Sequence, residues 1–292
     1  MNNSDTSLSP FLRGMFGSLA VCFAVQALLY HGLNWGTGKS ESNYFSTMSR
    51  FQTAASPPAK IALAGSSITG RLPGREAGNR SIANLGSDGG SALDGMRLMA
   101  MGEIDTSQWL VIEANTLFVG AGFGDTLIIK GAQGPWFDVG ARQPLLGASA
   151  RPSGMLYAQL LRRPKVLTGE AFAVMPDKIV PNDSDSFNQF TVAEKKRFDD
   201  YVSTIEQLQQ RGVKILIATY PASGRKERET ILMKTTIAEL AKRFPVICID
   251  LEKQIPRQSL AFTDSVHLAP QSAAQVLSTI LNFVNDVEQT MK

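Results

Sequence analysis

Short apolar runs and amphipathic stretches alternate over most of this chain. The apolar runs cover residues 61–64, 81–85, 109–113, 213–218 and 246–250. Runs this short, and apolar at consecutive positions rather than alternate ones, are typical of parallel strands that are buried on both faces. Between and after them, helical spacing of apolar positions predicts helices over residues 92–101, 192–210, 227–243 and 270–284. The alternation predicts an α/β fold, a right-handed doubly wound sheet with helices on both faces.

A longer apolar segment precedes this pattern. Residues 15–33 are apolar apart from Gln26, His31 and a few small residues, and about 20 such residues let a helix cross a bilayer. We therefore expect a membrane anchor over residues 13–34. A cleaved signal peptide is the main alternative, and a buried helix of a soluble protein is a second one. The lack of a convincing small-x-small cleavage site after the apolar run favours the anchor.

The charges around this segment predict its orientation. Arg13 and the amino terminus precede it, so residues 1–12 are expected to form a cytoplasmic tail. The bulk of the chain would then lie outside the cytoplasm. Lys39 and Arg50 on the other side make the charge difference modest.

Two further segments complete the predicted organisation. Residues 35–58 contain several glycines and serines and the pair Pro57-Pro58, a composition typical of a linker. The folded domain is expected over residues 59–292. It contains an insertion of about 70 residues, 119–190, where most connections need only a handful. This insertion is either a lid or acceptor-binding subdomain, or a peripheral structural decoration.

Composition argues against several classes of function. The chain has 292 residues and a net charge of +3 from nearly balanced acids and bases, so nucleic-acid binding has little electrostatic support. Cys22 lies in the apolar segment and Cys248 is central in a strand-like run, so neither a disulfide framework nor a cysteine nucleophile is expected. Without a His-rich cluster, zinc-type cysteine spacing or dinucleotide fingerprint, the sequence indicates no metal or organic cofactor.

Four short motifs carry the candidate chemistry. They are Gly65-Ser66-Ser67, Asn84-Leu85-Gly86, Glu113-Ala114-Asn115 and Asp264-Ser265-Val266-His267. The first three lie at or just after the end of an apolar run, and the fourth lies between the last run and the last predicted helix. Because the carboxyl ends of parallel strands meet at one edge of a sheet, where α/β folds bind their ligands, the four motifs are expected to converge.

Ser67 is the candidate nucleophile. The glycine before it allows a tight turn, and a serine at this turn can expose its Oγ while its own amide faces a developing oxyanion. A helix N-cap serine is one alternative. A phosphate-binding loop is another, but the lysine expected after its glycine is absent and Arg71 is the nearest base.

Asp264 and His267 are the candidate acid and base. The chain has only two histidines, and His31 lies in the apolar segment, so His267 is the imidazole available to the soluble part. A carboxylate three residues earlier can reach its Nδ1 from the same turn, which leaves Nε2 free to take the proton of Ser67. The alternative is a helix-capping aspartate beside an incidental surface histidine.

Gly86 and Asn115 are the candidate oxyanion donors beside the Ser67 amide. The backbone amide of Gly86 and the side-chain amide of Asn115 could both donate to a tetrahedral intermediate. Ordinary turn roles are the alternatives for both residues. Asp88 is a rival to Asp264 as the triad carboxylate, but Asp264 has the better local register with His267.

With these motifs the chain resembles the SGNH (GDSL-like) hydrolase superfamily, whose name records Ser, Gly, Asn and His in four blocks in this order. The resemblance spans residues 60–284 and implies a flavodoxin-like sheet of about five parallel strands. It implies Ser67 as nucleophile, Gly86 and Asn115 as oxyanion donors, and Asp264 and His267 as the other triad members.

Two departures from the common pattern indicate a branch of this superfamily. Ser66 stands where many members have aspartate, and Glu113-Ala114-Asn115 replaces Gly-x-Asn. Both resemble the branch that contains membrane-anchored proteins of bacterial cell-envelope acylation. The long insertion is a third departure and leaves the substrate and the acceptor open.

The resemblance implies a membrane-tethered enzyme that moves an O-acyl group, expected to be acetyl, on an envelope or exported bacterial polysaccharide. The leading hypothesis is a transferase in the inner membrane, single-pass with its catalytic domain in the periplasm, beside an acyl donor of the membrane-bound O-acyltransferase type. One alternative is a carbohydrate O-acetyl esterase or lipase-like hydrolase that works without a partner. Another is a non-catalytic envelope assembly module.

Overall fold

The computed structural model describes residues 8–55, 57–117, 124–160, 167–168, 187, 190–221, 227–264 and 266–291. Its strands are β1 (Ile61–Gly65), β2 (Ile82–Gly86), β3 (Trp109–Glu113), β4 (Leu167–Thr168), β5 (Lys214–Thr219), β6 (Ile247–Asp250) and β7 (Ala261–Phe262). Its helices are α1 (Leu8–Ala27), α2 (Asn43–Ala54), α3 (Ala92–Met101), α4 (Gly124–Ala132), α5 (Pro135–Arg142), α6 (Pro152–Leu160), α7 (Val192–Gln210), α8 (Glu227–Arg243), α9 (Leu251–Gln254) and α10 (Pro270–Thr290).

Five parallel strands form the central sheet, in the order β2-β1-β3-β5-β6. Every position of β1, β2 and β3 is buried, as their uninterrupted apolar runs predict. The predicted α/β fold with a parallel sheet is confirmed. The strand order is also compatible with a flavodoxin-like fold.

Helices cover both faces of the sheet. On one face α2, α3, α7 and α8 bury side chains such as Phe51, Met96 and Tyr201. On the other face α9 and α10 bury Leu251, Val276 and Ile280. Both layers exclude water from the strands, so the carboxyl ends of the strands are the edge available for a site.

The positions of β1 and β3 determine where that site lies. The chain leaves β1 for β2 on one side, and later enters β3 on the other side of β1. In α/β sheets, ligands bind at the carboxyl end of the strands where the strand order reverses in this way. Ser67 follows β1, and Asn115 follows β3 in a single 3₁₀ turn, Ala114–Thr116.

Part of the segment interpreted as a linker, 35–58, is a core element. Residues 43–54 form α2, in which Met48 and Phe51 are buried against the sheet. Its buried face also carries polar residues: Ser46, Thr47, Ser49, Arg50 and Gln52. The glycines, serines and prolines around α2 give the segment its linker-like composition, whereas the polar residues of α2 itself are buried.

The insertion predicted over residues 119–190 contains α4, α5, α6 and β4 within its described part. Gln52 of α2 joins it to the domain, since its Nε2 donates to the carbonyl of Trp136 (3.1 Å) and its Oε1 accepts from the amide of Ala148 (2.8 Å). Farther on, β4 pairs with β7 in antiparallel fashion. These helices are therefore packed parts of the domain. A lid or acceptor-binding role remains a prediction, and much of residues 161–189 lies outside the described chain.

The N-terminal helix fits the predicted anchor by length and composition. Pro10–Gly32, which joins most of α1 to the π-helical turn Leu28–Gly32, is the one helix among the described residues that is long and apolar enough to cross a membrane. Its apolar side chains face outwards, as the 70% exposed fraction of Phe11 illustrates. Near its end, Gln26 Nε2 donates to the carbonyls of Leu145 (2.8 Å) and Ala150 (2.9 Å) in the insertion.

The buried position of α2 leads to a first prediction. Phe51→Ala should lower the free energy of unfolding by about 3 kcal/mol or more, because it removes a fully buried aromatic ring and leaves a cavity. The measurement is urea unfolding of the full chain in detergent, followed by tryptophan fluorescence. Val192→Ala, at a site that is 86% exposed, should change stability by less than about 0.5 kcal/mol. Equal effects of the two variants would contradict a core role for α2.

Candidate active site

The turn after β1 is held by one buried carboxyl group, that of Glu113 at the end of β3. Glu113 is 0% exposed. Its Oε2 accepts from the amides of Ser66 (2.9 Å) and Thr69 (3.2 Å) and from Thr69 Oγ1 (2.7 Å), while its Oε1 accepts from Ser66 Oγ (2.8 Å). Two neighbouring parallel strands are therefore joined at their carboxyl ends. Gly65 has to be glycine, because a Cβ would overlap Glu113 and Thr69.

Ser67 lies inside this turn, but neither its amide nor its Oγ takes part in the hydrogen bonds to Glu113. Ser66 Oγ accepts from the amide of Ile68 (3.1 Å), so the residues on either side of Ser67 are fixed. Ser67 itself is half-buried. The adjacent Ser66, whose side chain is committed to Glu113, is structural.

Ser67, His267 and Asp264 form the predicted hydrogen-bonded series. Ser67 Oγ lies 2.8 Å from His267 Nε2, and His267 Nδ1 lies 2.7 Å from Asp264 Oδ2. Asp264 Oδ1 accepts from the backbone amides of Val266 (2.8 Å) and His267 (2.7 Å). The amide of Thr263 donates to the carbonyl of His267 (2.8 Å) and closes the loop. The histidine ring is thus oriented by its own turn, with Nε2 directed at the serine.

Asp264 has the ionisation state that is needed to stabilise a protonated His267 ring. Burial alone would raise the pKa of Asp264, but hydrogen bonds from the His267 ring and from the amides of His267 and Val266 outweigh it and hold the pKa below its usual value. The carboxylate therefore stays ionised at neutral pH and can stabilise a protonated imidazole. The rival Asp88 is used elsewhere, since its Oδ1 lies 2.8 Å from Arg50 Nη2.

Asn115 is placed to act as an oxyanion donor. Its Oδ1 accepts from the backbone amide of Tyr220 (2.9 Å), and its Nδ2 donates to the carbonyl of the same residue (2.9 Å). These two bonds fix the side-chain amide and use only one of the two hydrogens on Nδ2. The second hydrogen remains available at the edge of the sheet where Ser67 lies. The amide of Ser67 has no partner among the described residues, so it is available too.

Gly86 does not have the predicted donor role. Its amide donates to Asn84 Oδ1 (2.9 Å), and the backbone of Gly70 packs so closely that a Cβ at Gly86 would overlap it. The glycine is required for this close approach. The next glycine of the loop, Gly89, has a positive φ of 75°, and its amide has no partner within the described chain.

Glu113 is the site residue that the sequence reasoning missed. It was quoted with Asn115 as part of a motif but given no role. A signal was present, because a charged residue at the end of an otherwise apolar, fully buried strand needs internal hydrogen-bond partners. Ser66 and Thr69, which flank Ser67, are those partners.

Metal-binding groups are absent from the part of the chain that the structure describes, where no three His, Cys, Asp or Glu side chains lie together. Cys22 and Cys248 are both free and exposed. Cys248 was expected in the core, but β6 is an edge strand and leaves it uncovered.

The α/β fold thus carries a hydrogen-bonded series of Ser67, His267 and Asp264 beside the carboxyl end of its parallel sheet. Comparisons with models of known protein families, with curated proteins and with solved structures found no match. The conclusions on function therefore rest on the geometry of this chain.

The buried carboxyl group yields a second prediction. Glu113→Ala should lower the free energy of unfolding by about 3 kcal/mol, because buried amides of Ser66 and Thr69 lose their acceptor. Glu113→Gln keeps one acceptor oxygen and should cost about 1 kcal/mol. Urea unfolding compares both variants with Glu206→Ala, an exposed position on α7. A Glu113→Ala effect no larger than that control would contradict the clamp.

Proposed function

We propose that this chain is an SGNH-type serine enzyme that transfers or removes an O-acyl group, with acetyl as the expected group. The observation that carries the proposal is the pair of short contacts, Ser67 Oγ to His267 Nε2 (2.8 Å) and His267 Nδ1 to Asp264 Oδ2 (2.7 Å). Such an arrangement converts a weakly nucleophilic hydroxyl into one that attacks esters.

In the first half-reaction, Ser67 Oγ attacks the ester carbonyl while His267 Nε2 accepts its proton. The carbonyl oxygen takes up the electron pair and is stabilised by the Ser67 amide and the free hydrogen of Asn115 Nδ2. We assign the third donor position to Gly89 in place of Gly86. The tetrahedral intermediate then collapses, the alkoxide leaves with the proton from His267, and an acyl group remains on Ser67.

In the second half-reaction, His267 takes a proton from an incoming hydroxyl, whose oxygen attacks the acyl-enzyme. Return of that proton to Ser67 Oγ restores the enzyme. Water gives an esterase, and a sugar hydroxyl gives a transferase. The side chain of Asp264 is 51% exposed and that of His267 is 21% exposed, so the site is open enough for either acceptor.

Of the two outcomes, esterase and transferase, the N-terminal helix supports the transferase. Its length and composition suit a membrane anchor, and the contacts of Gln26 with Leu145 and Ala150 connect it to the domain. We propose a single-pass protein of the bacterial inner membrane with its domain in the periplasm. There it would take an acyl group from a membrane-bound O-acyltransferase and pass it to an envelope or exported polysaccharide.

Two other functions remain as alternatives. A carbohydrate O-acetyl esterase or lipase-like hydrolase would use the same residues with water as acceptor and no partner. A non-catalytic assembly module would have no need of the contact between Ser67 and His267, so that contact argues against it.

The central experiment is intact-mass analysis of the full chain in detergent after brief exposure to 4-nitrophenyl acetate. We expect one acetyl adduct on the wild type and on Ser203→Ala, an exposed serine of α7, but none on Ser67→Ala. An adduct that clears faster with added glycan than in buffer indicates a transferase, and rapid clearance in buffer indicates an esterase. An adduct that persists in Ser67→Ala would contradict the proposal.

The role of Asp264 gives a further prediction. Asp264→Asn should lower kcat for ester turnover by about 10³- to 10⁴-fold, because an amide at this position favours the wrong tautomer of His267. Asp286→Asn, an exposed change on α10, should leave kcat unaltered. The measurement is steady-state hydrolysis of 4-nitrophenyl acetate. A small loss in Asp264→Asn would mean that another carboxylate serves the histidine.

A further inference from the structure

A buried ion pair lies beside the nucleophile turn. Arg50 is 2% exposed, and its Nη2 lies 2.8 Å from Asp88 Oδ1. Its Nε donates to the carbonyl of Gly86 (2.9 Å) and its Nη1 to the carbonyl of Gly38 (2.8 Å). Arg50 thus donates hydrogen bonds through Nε and Nη1, while its Nη2 is ion-paired with Asp88 without a hydrogen bond. The pair is a structural bracket between α2 and the loop after β2.

This bracket is adjacent to the turn that carries Ser67. A Cβ added at Gly70, three residues after Ser67, would lie 3.0 Å from Asp88 Oδ1 and 3.0 Å from Arg50 Cζ. Gly70 is followed by Arg71, and Gly38, which Arg50 binds, is followed by Lys39. Each of the two glycines that lie against the Arg50–Asp88 pair is therefore followed by a cationic residue.

Lys39 and Arg71 have no hydrogen-bond acceptor or ion-pair partner for their side chains among the described residues, although both are half-buried. Burial, followed by the nearby Arg71 cation, lowers the pKa of Lys39 to about 8; Asp88 acts in the opposite direction, and Arg50 adds to the lowering. The neighbouring carboxylate of Glu41 is already engaged, at 3.0 Å from Arg151 Nη2.

The charge balance of this cluster is unfavourable as it stands. Arg50 pairs with Asp88, and Lys39 and Arg71 add two further positive charges near this pair, so that three cations face one carboxylate, an excess of +2. Such an excess costs free energy unless an anion offsets it. The bracket explains Arg50 and Asp88, but it leaves Lys39 and Arg71 without an internal role.

We propose that Lys39 and Arg71 form an anion subsite that binds a carboxylate or phosphate group of the glycan substrate beside Ser67. The proposal rests on the proposed function, and it narrows the substrate to anionic glycans, such as those with uronic acid or phosphodiester units. The guanidinium of Arg71 can bind either group in a bidentate manner, and Lys39 adds a point charge. An anchored anionic sugar would place its acyl ester at the nucleophile turn.

The test measures binding by calorimetry to full-length Ser67→Ala in detergent, so that it does not depend on turnover. Three oligosaccharides of equal length serve as probes: a neutral glucan, a uronic acid oligomer and a phosphodiester-linked oligomer. We expect at least one anionic probe to bind about tenfold or more tightly than the neutral one. Whichever of the two anionic probes binds more tightly shows whether the subsite prefers a carboxylate or a phosphodiester.

Variants then assign the preference to the subsite. Lys39→Gln and Arg71→Gln, each in the Ser67→Ala background, should weaken anionic binding by about tenfold, and the double variant should bind all three probes alike. Lys242→Gln with Lys253→Gln removes the same charge at exposed positions and should preserve the preference. Equal binding of the three probes to the parent, or a preference that survives in the Lys39 and Arg71 double variant, would overturn the proposal.

The pH dependence provides a second readout. Protonated Lys39 binds the anion, so affinity should fall as the pH rises through about 8, whereas carboxylate and phosphodiester groups do not titrate there. Lys39→Gln should remove this fall. Circular dichroism confirms that each variant is folded. If the wild type forms no acetyl adduct but the protein still binds anionic probes more tightly than the neutral one, the proposed catalysis is refuted and the proposed subsite stands.

Discussion

The buried carboxyl group of Glu113 is the contact on which the candidate active site depends. It ties the end of β3 to the turn after β1 by accepting from the amides of Ser66 and Thr69. Because these two residues flank Ser67 on both sides, the backbone of Ser67 is fixed while its Oγ remains free for His267. A catalytic group needs this kind of support from residues that are themselves locked by hydrogen bonds. The neighbouring Ser66 has a structural role instead, since its hydroxyl donates to the same carboxyl group.

Local interactions made much of the fold and the site predictable. The sheet strands are continuous apolar runs, and burial on both faces leaves such runs few other structures to adopt. Asp264 and His267 are three residues apart, so their contact follows from the turn that contains both. The role of Gly86 was beyond prediction from spacing, because it depends on whether Asn84 Oδ1 or a substrate accepts from its amide. The spacing of Asn84 and Gly86 does not reveal that choice.

The second failure of prediction has a related cause. Residues 43–54 fall within the predicted linker because glycines, serines and the pair Pro57-Pro58 surround them, yet they form α2, and most of their polar residues are buried. Hydrophobic periodicity detects helices whose buried face is apolar. It does not detect one whose buried face also binds the rest of the protein through Arg50 and Gln52. Polar residues in such a helix are favourable only when each finds a partner, and several of those partners are distant in sequence, as Asp88 is for Thr47 and Trp136 is for Gln52.

The contacts of α2 also bear on how the site is presented. Gln52 binds the insertion at Trp136 and Ala148, and the insertion in turn accepts from Gln26 near the end of the N-terminal helix. Through Arg50, the same helix holds Asp88 beside the nucleophile turn. The side chains of Gln26, Gln52 and Arg50 thus join the apolar helix, the insertion, α2 and the loop after β2 in turn. If the apolar helix spans a membrane, the site is held in a defined orientation to the bilayer, as exchange with a membrane-held acyl donor would require. A flexible linker between the helix and the domain would not fix the orientation of the site to the bilayer.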